Sequence, residues 1–443
     1  MPITRRQIPF LLTDLYTYTL LLIYPLWYGS QGYLALTRAK YLFFVCSGCL
    51  YLLLLLLSLA YCGNGRLLLQ QGLRQGGIFL SARGLFLAVA SLSAICSPYD
   101  GVWMGLGRYE GLSTLLLYGA IAAAAACFGR FRPSFGYALA ISGAICALIA
   151  IAQLAGHNPG GLYPQGYGYT DGNVLYSGLF LSPLGNIDLL CGFFTLVIPL
   201  SLLGVVVDKS RGRLIYGISL PLCLYVLWQI KVAAGLIAIP LALLLLLPLG
   251  IAPRLTLPHA RLWAWLLVLV ILGLLLLFLW CYDGNLQTLT EINALLHGKI
   301  EDNFGSSRIL IWKQTLALVP QRLWLGGGPD TLAPRLNLIF SRTIEQTGVR
   351  LTTRVDAAHN EYLNDLVNLG LLGLASHLLL LLTAAIRAYR RVAIDDSALL
   401  CGGAVLAFAI QAFFSFSICI VAPLFWLLLG LTAANPAARK DRQ

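Results

Sequence analysis

Twelve stretches of this chain stay apolar for about the length that crosses a lipid bilayer, and that feature decides what it can fold into. They cover residues 10–28, 41–61, 78–97, 112–129, 134–154, 187–207, 214–230, 232–252, 263–281, 363–386, 398–418 and 420–434. A helix rises about 1.5 Å per residue, so about 20 apolar residues span a hydrocarbon core of about 30 Å. A soluble chain of 443 residues would wrap several cores in charged surface. Here 59% of residues are hydrophobic and only 11% are charged. The expectation is an all-α integral membrane protein of about twelve transmembrane helices. Residues 1–281 hold nine spans joined by short loops, 282–362 form one larger extracytoplasmic loop before the tenth span, and 363–443 hold the last three spans and a tail.

Charge sets the expected orientation. With the N-terminus inside, the inner segments hold seventeen Lys and Arg residues: Arg5, Arg6, Arg66, Arg74, Arg130, Arg132, Lys209, Arg211, Arg213, Arg254, Arg261, Arg387, Arg390, Arg391, Arg439, Lys440 and Arg442. The short outer loops hold four: Arg38, Lys40, Arg108 and Lys231. That asymmetry predicts a multi-pass protein with both termini cytoplasmic and 282–362 outside. The net charge of +12 is then mostly topology and gives no reason for a nucleic-acid partner. The N-terminal Met1-Pro2-Ile3-Thr4-Arg5-Arg6 reads as the flank of an uncleaved first span. The eleven cysteines lie in or beside apolar runs, Cys46 and Cys49 included, so neither a disulfide framework nor a metal site is expected.

The polar residues that interrupt this pattern carry the functional information. Asp14 and Arg83 lie near inner helix ends, where snorkelling accounts for them. Arg108, in an aromatic and Gly-rich outer turn, could hold an anion there or pair with Glu110 or lipid phosphate. Lys231, between two spans at the outer face, could grip a phosphate at headgroup depth or snorkel to lipid. A loop at about 155–186 carries Tyr163, Tyr167, Tyr169 and Tyr176, suited to sugar stacking or to the membrane interface, and ends in Asn186 and Asp188. The segment 282–362 holds Lys299, Arg308, Lys313, Arg322, Arg335, Arg342, Arg350 and Arg354. Eight cations in an exported segment run against the positive-inside bias and point to an anionic partner, which lipid headgroups would also satisfy. Within it a helix from Ser306 to Arg322 is predicted, capped by Ser306 or Ser307, with Ile309, Trp312, Leu316, Val319 and Leu323 on a face that rests on the membrane. The turn Leu325-Gly326-Gly327-Gly328-Pro329 lacks the GK[ST] of a P-loop.

The stretch from Asp356 to Gly373 passes from polar chain into membrane helix without a break. At helical period His359, Leu363, Leu366, Gly370 and Gly373 share one face, with two glycines one turn apart where a neighbouring helix could approach. An imidazole there would stand at the boundary where a soluble hydroxyl meets a lipid-borne substrate. Its ordinary pKa near 6.5 suits a general base at neutral pH, and an arginine or lysine nearby would neutralise a phosphate leaving group.

His359-Asn360, nine residues, then Gly370-x-x-Gly373 resembles the H[NSQ]x9GxxG signature of the O-antigen ligase and O-antigen polymerase superfamily. Arg308 and Trp312, then Pro320 and Gly326-Gly327-Gly328-Pro329, are similar to that family's upstream R…W…P…GxGP segment. The resemblance implies a GT-C-like, metal-independent membrane glycosyltransferase without cofactors, in the bacterial cytoplasmic membrane. It would transfer a glycan from undecaprenyl diphosphate to a hydroxyl on a glycan, lipid-glycan or protein acceptor, with membrane lipids around it. It further implies that His359 is the catalytic base, that Arg308 contacts the diphosphate, and that Asn360, Gly370 and Gly373 support the site. Lys231 stands where the family carries an arginine, keeping the charge without the bidentate grip. Arg108 and Arg354 complete the set of expected diphosphate ligands. With no carboxylate nucleophile in view, direct displacement at the anomeric carbon would invert it.

A transporter of lipid-linked glycans shares the span count but calls for charged groups lining a mid-membrane cavity. His377, in the tenth span, is the best such group, and a lone packed histidine explains it. Ligase and polymerase are not separated by these motifs.

Overall fold

The computed structural model describes residues 4–106, 108–172, 175–343 and 350–434. The expected inner charges Arg439, Lys440 and Arg442 lie outside the described residues. Among the described residues ten helices are long and apolar enough to cross a membrane, and two shorter apolar helices, Leu112–Phe128 and Ala422–Ala433, coincide with two further sequence runs. The architecture is an all-α membrane bundle. Two small antiparallel ribbons were not foreseen: Phe180–Leu181 with Gly185–Asn186, and Ile339–Thr343 with Arg350–Arg354.

The bundle is organised around the long helix Glu361–Val392. Gly65–Ile95 packs along it, Asp396–Gln411 packs on Ile187–Val207, and Ala422–Ala433 packs on Leu112–Phe128. Small residues make the last contact close, since a Cβ on Gly430 would collide with the backbone of Ala122. Ala260–Trp280 lies at the margin, with only Ala264 and Val268 buried.

Broken helices in lipid must find partners for the backbone groups they free. The first span loses its α-geometry over Thr19–Leu26, before and around Pro25. There the fully buried Lys40, expected in an outer loop, donates from Nζ to the carbonyls of Tyr24 (2.6 Å) and Pro25 (2.9 Å). Asp14 and Arg83 do not snorkel either. Asp14 is buried and paired with Arg132 at 2.5 Å, and Arg83 donates to the Gly119 carbonyl at 3.2 Å.

A second break shapes the candidate site. Glu361–Val392 is interrupted at Gly370, whose φ of 74° ends regular helix there. The turn 325–329 fills the gap backbone to backbone. Gly327 and Gly328 donate to the carbonyls of Val367 (3.1 Å) and Asn368 (2.8 Å), while Leu371 and Leu372 donate to Leu323 (2.8 Å) and Trp324 (3.2 Å). Side chains close the joint: Ser93 donates to the carbonyls of Leu325 and Asn368, and Arg335 to Val367 at 2.7 Å. The close approach at Gly370 is therefore made by a loop and not by a neighbouring helix. Gly370 admits a loop, for a Cβ there would collide with the carbonyl of Trp324, and one on Gly326 with that of Asn368. A Cβ on Gly373 would meet Leu369 of its own helix.

Candidate active site

Beyond the second ribbon the chain runs through Val355, Ala357 and Ala358, all buried, into Asn360. The Trp312 indole N–H donates to the Ala358 carbonyl at 3.0 Å, so helix 308–318 holds this segment from behind. Asn360 is extended, and its side-chain oxygen accepts from the Leu363 N–H at 3.0 Å. That is an N-cap, and it starts the helix at Glu361. His359 thus precedes the helix, with a left-handed φ of 50°, and does not share a helical face with Leu363, Leu366, Gly370 and Gly373. A non-glycine residue in that region costs about 1 kcal/mol, and the cap on one side and the Trp312 bond on the other hold it there.

The imidazole stands edge-on to Phe416, with ring centroids 4.9 Å apart. The Arg108 guanidinium lies 4.0 Å from the centroid of the same Phe416 ring. Arg108 is held bidentately by Asp356, its Nε donating to Oδ2 at 2.7 Å and a terminal nitrogen to Oδ1. Of the options open for Arg108, pairing with Glu110 is thus not the one adopted; Glu110 accepts from Tyr118 at 2.8 Å. Burial pushes the His359 pKa down to about 4, Arg308 and Arg108 push the same way, and Asp356 opposes them. The ring is therefore neutral at pH 7, the form in which a histidine accepts a proton.

Beside it opens a cavity of about 370 Å³ whose lining includes His359, Arg308 and Lys231. These three come from the Ala358–Asn360 turn, the start of a helix, and the end of Arg213–Ile230, where Lys231 takes a left-handed φ of 52°. Arg308 is set by three consecutive left-handed residues, Gly305, Ser306 and Ser307, after which regular helix begins. Neither serine caps it, and part of that helix faces the protein interior. Its buried residues are Ile311 and Thr315, with Val319 following, while Leu316 and Leu323 are exposed, because it packs on Leu363 and Val367. The Arg308 guanidinium donates weakly to the Gly305 carbonyl (3.4 Å) and lies 3.9 Å from Asp188, and its buried Nε has no hydrogen-bond partner among the described residues.

Arg108 and Arg354 are not among the residues lining the cavity. Arg108 stands behind His359 across Phe416, and Arg354 is an exposed residue at the end of its strand. Sequence reasoning missed the acidic and amide lining of the cavity. Asp188, Asn186, Gln287 and Glu291 line the same cavity, so carboxylates are present after all. Asn186-Ile187-Asp188 at the mouth of a span was a visible signal for part of it.

Sequence reasoning also missed a buried polar cluster. His377 is not a lone histidine: its Nδ1 pairs with Asp365. Glu110, Tyr118 and Glu361 line a void of about 30 Å³ with this pair. Burial holds the Glu110 carboxyl well above the usual range. Glu361 accepts from the Ser417 N–H at 2.8 Å and so ties the Phe416 turn to the helix that follows His359.

Residues 194–378 match the family model for O-antigen ligase. No curated protein matches the chain. The matched segment contains Lys231, Arg308, His359, Asn360, Gly370 and Gly373, while Asn186 and Asp188 of the same cavity lie outside it. With the histidine and glycine signature inside the matched residues, 194–378 are similar to the O-antigen ligase family.

Proposed function

We propose that this O-antigen ligase-type membrane enzyme transfers a glycan from undecaprenyl diphosphate to an acceptor hydroxyl at the outer face of the bacterial cytoplasmic membrane, with both its termini inside. The observation that carries this reading is the convergence of His359, Arg308 and Lys231 on one cavity bounded by the ends of membrane helices. Neutral His359 takes the proton of the acceptor hydroxyl as its oxygen attacks the anomeric carbon. The bond from that carbon to the phosphate oxygen breaks, and its electron pair leaves on the diphosphate. Arg308 and Lys231 neutralise the growing charge there, an electrostatic contribution that needs no movement of the site. Arg108 and Asp356 act from behind the histidine and fix its turn. Direct displacement inverts the anomeric carbon.

Asp188 supports a second reading. A carboxylate at the cavity could form a glycosyl ester that the acceptor then opens, which retains configuration. The anomeric configuration of the product separates the two.

The test is deletion of the gene in its host and complementation with the wild type or His359→Ala, with surface glycans resolved on a gel. Long-chain glycan lost from its acceptor, with lipid-linked polymer accumulating, identifies a ligase. Single repeats left attached identify a polymerase. Full rescue by His359→Ala contradicts the proposed mechanism, and unchanged glycans in the deletion contradict the function.

A further inference from the structure

The cavity is lined by charges of both signs. Lys231 and Arg308 supply the cations, Asp188 and Glu291 the carboxylates, and His359 is neutral. A glycosyl polyprenyl diphosphate carries one negative charge on each phosphate, so Lys231 and Arg308 match it one cation to each. Once they are engaged, the two carboxylates are the charges left to meet whatever sugar the diphosphate carries. Asp188 lies 3.9 Å from the Arg308 guanidinium, within a single sugar ring of a phosphate bound there.

We infer that Asp188 and Glu291, with the amides of Asn186 and Gln287, form the subsite for the sugar attached directly to the diphosphate, and that this sugar is neutral or amino-bearing rather than acidic. The inference rests on the proposed glycosyl-transfer function and names its substrate class. Carboxylates and amides are the side chains that accept from and donate to sugar hydroxyls. Glu291 is fixed for the task. Its Oε1 accepts from the Gln287 amide at 2.8 Å and its Oε2 from the Gly305 N–H at 2.8 Å, the residue at which the Arg308 turn begins. Asp188 is held at a helix start by the Asn186 cap on its own N–H, at 2.7 Å. Beyond its ion pair with Arg308, its carboxylate accepts no hydrogen bond among the described residues and can take one from a hydroxyl. A uronic acid would bring a third carboxylate to this cavity. Repulsion between like charges a few ångströms apart in a partly desolvated site excludes it more effectively than any loss of contact.

The test measures binding, so it needs no knowledge of the acceptor and is independent of the catalytic step. The full-length protein in lipid nanodiscs is titrated calorimetrically with citronellyl diphosphate glucose, with citronellyl diphosphate glucuronic acid, and with citronellyl diphosphate alone. The expected result is that the glucosyl probe binds at least about tenfold more tightly than the glucuronosyl one. Asp188→Asn should bring the two within about threefold by weakening rejection of the acid. Glu291→Gln provides a second variant should Asp188→Asn fail to fold. Equal binding of the two sugars by the wild type, or a ratio unchanged in the folded variants, overturns the inference while leaving glycosyl transfer intact. Failure of all three probes to bind overturns diphosphate recognition itself, and the subsite with it.

Discussion

His359 is held low in pKa by the groups that would assist it. Burial and two guanidinium groups keep its imidazole neutral down to about pH 4. The free-enzyme acid limb of kcat/KM that belongs to this residue should therefore lie near pH 4. Activity stays level from pH 8 to about 5 and falls as the ring takes up a proton below that; a limb near 6.5 in a pH-rate profile would contradict the assignment. The sign for stability is the same. The folded pKa lies below the unfolded value of about 6.5, so the contribution is complete above 6.5 and is lost as pH falls towards 4. The two arginines should separate kinetically. Arg308→Ala removes the proposed diphosphate ligand and should raise KM for the donor about tenfold or more, whereas Arg108→Ala frees the Asp356 turn and should lower kcat with donor affinity within about threefold. Steady-state kinetics with a lipid-linked donor decide between these effects. Asp356 and Phe416 were not legible as partners of Arg108, because neither is near it in sequence and nothing in local spacing brings the three together.

The apolar runs were legible because hydrophobic length is a property of each run alone. Their interruptions were not, because they depend on a partner distant in sequence. Gly370 and the 325–329 turn illustrate this: each is a glycine motif by itself, and only the fold makes them two halves of one joint. The helix 308–318 was placed correctly in outline, while its packing on Leu363 and Val367 through Ile311 was not foreseen, since periodicity identifies an apolar stripe without saying what covers it. Similarly, His359 looked helical because the pattern continues through it, and the Asn360 cap that ends the helix competes with that pattern. Gly370→Ala adds a Cβ to a left-handed residue in contact with the Trp324 carbonyl and should cost more than about 1 kcal/mol, seen as a lower Tm of the detergent-solubilised protein. Gly326→Ala should do the same, and the double variant should cost less than the sum because both open the same joint.

Across the whole molecule, polar residues buried in the bundle mark where the chain departs from a plain set of spans. Lys40, the Asp14–Arg132 pair and the His377–Asp365 pair each answer a backbone break or a neighbouring charge. The cavity with His359, Arg308 and Lys231 lies on the side of the bundle that the loop charges assign to the outside. A reporter enzyme active only outside the cytoplasm should accordingly be active when fused after Lys299 and silent when fused after Ala434. The reverse pattern would put the cavity on the wrong face for a lipid-linked donor displayed outside. The central claim is that one neutral histidine at this cavity removes the acceptor proton. The most direct test is the single-turnover rate of glycan transfer in proteoliposomes with saturating lipid-linked donor, wild type against His359→Ala. The account predicts a loss of about 10²–10⁴-fold in rate with donor binding retained. A His359→Ala protein that is folded, binds donor and transfers at the wild-type rate would contradict it.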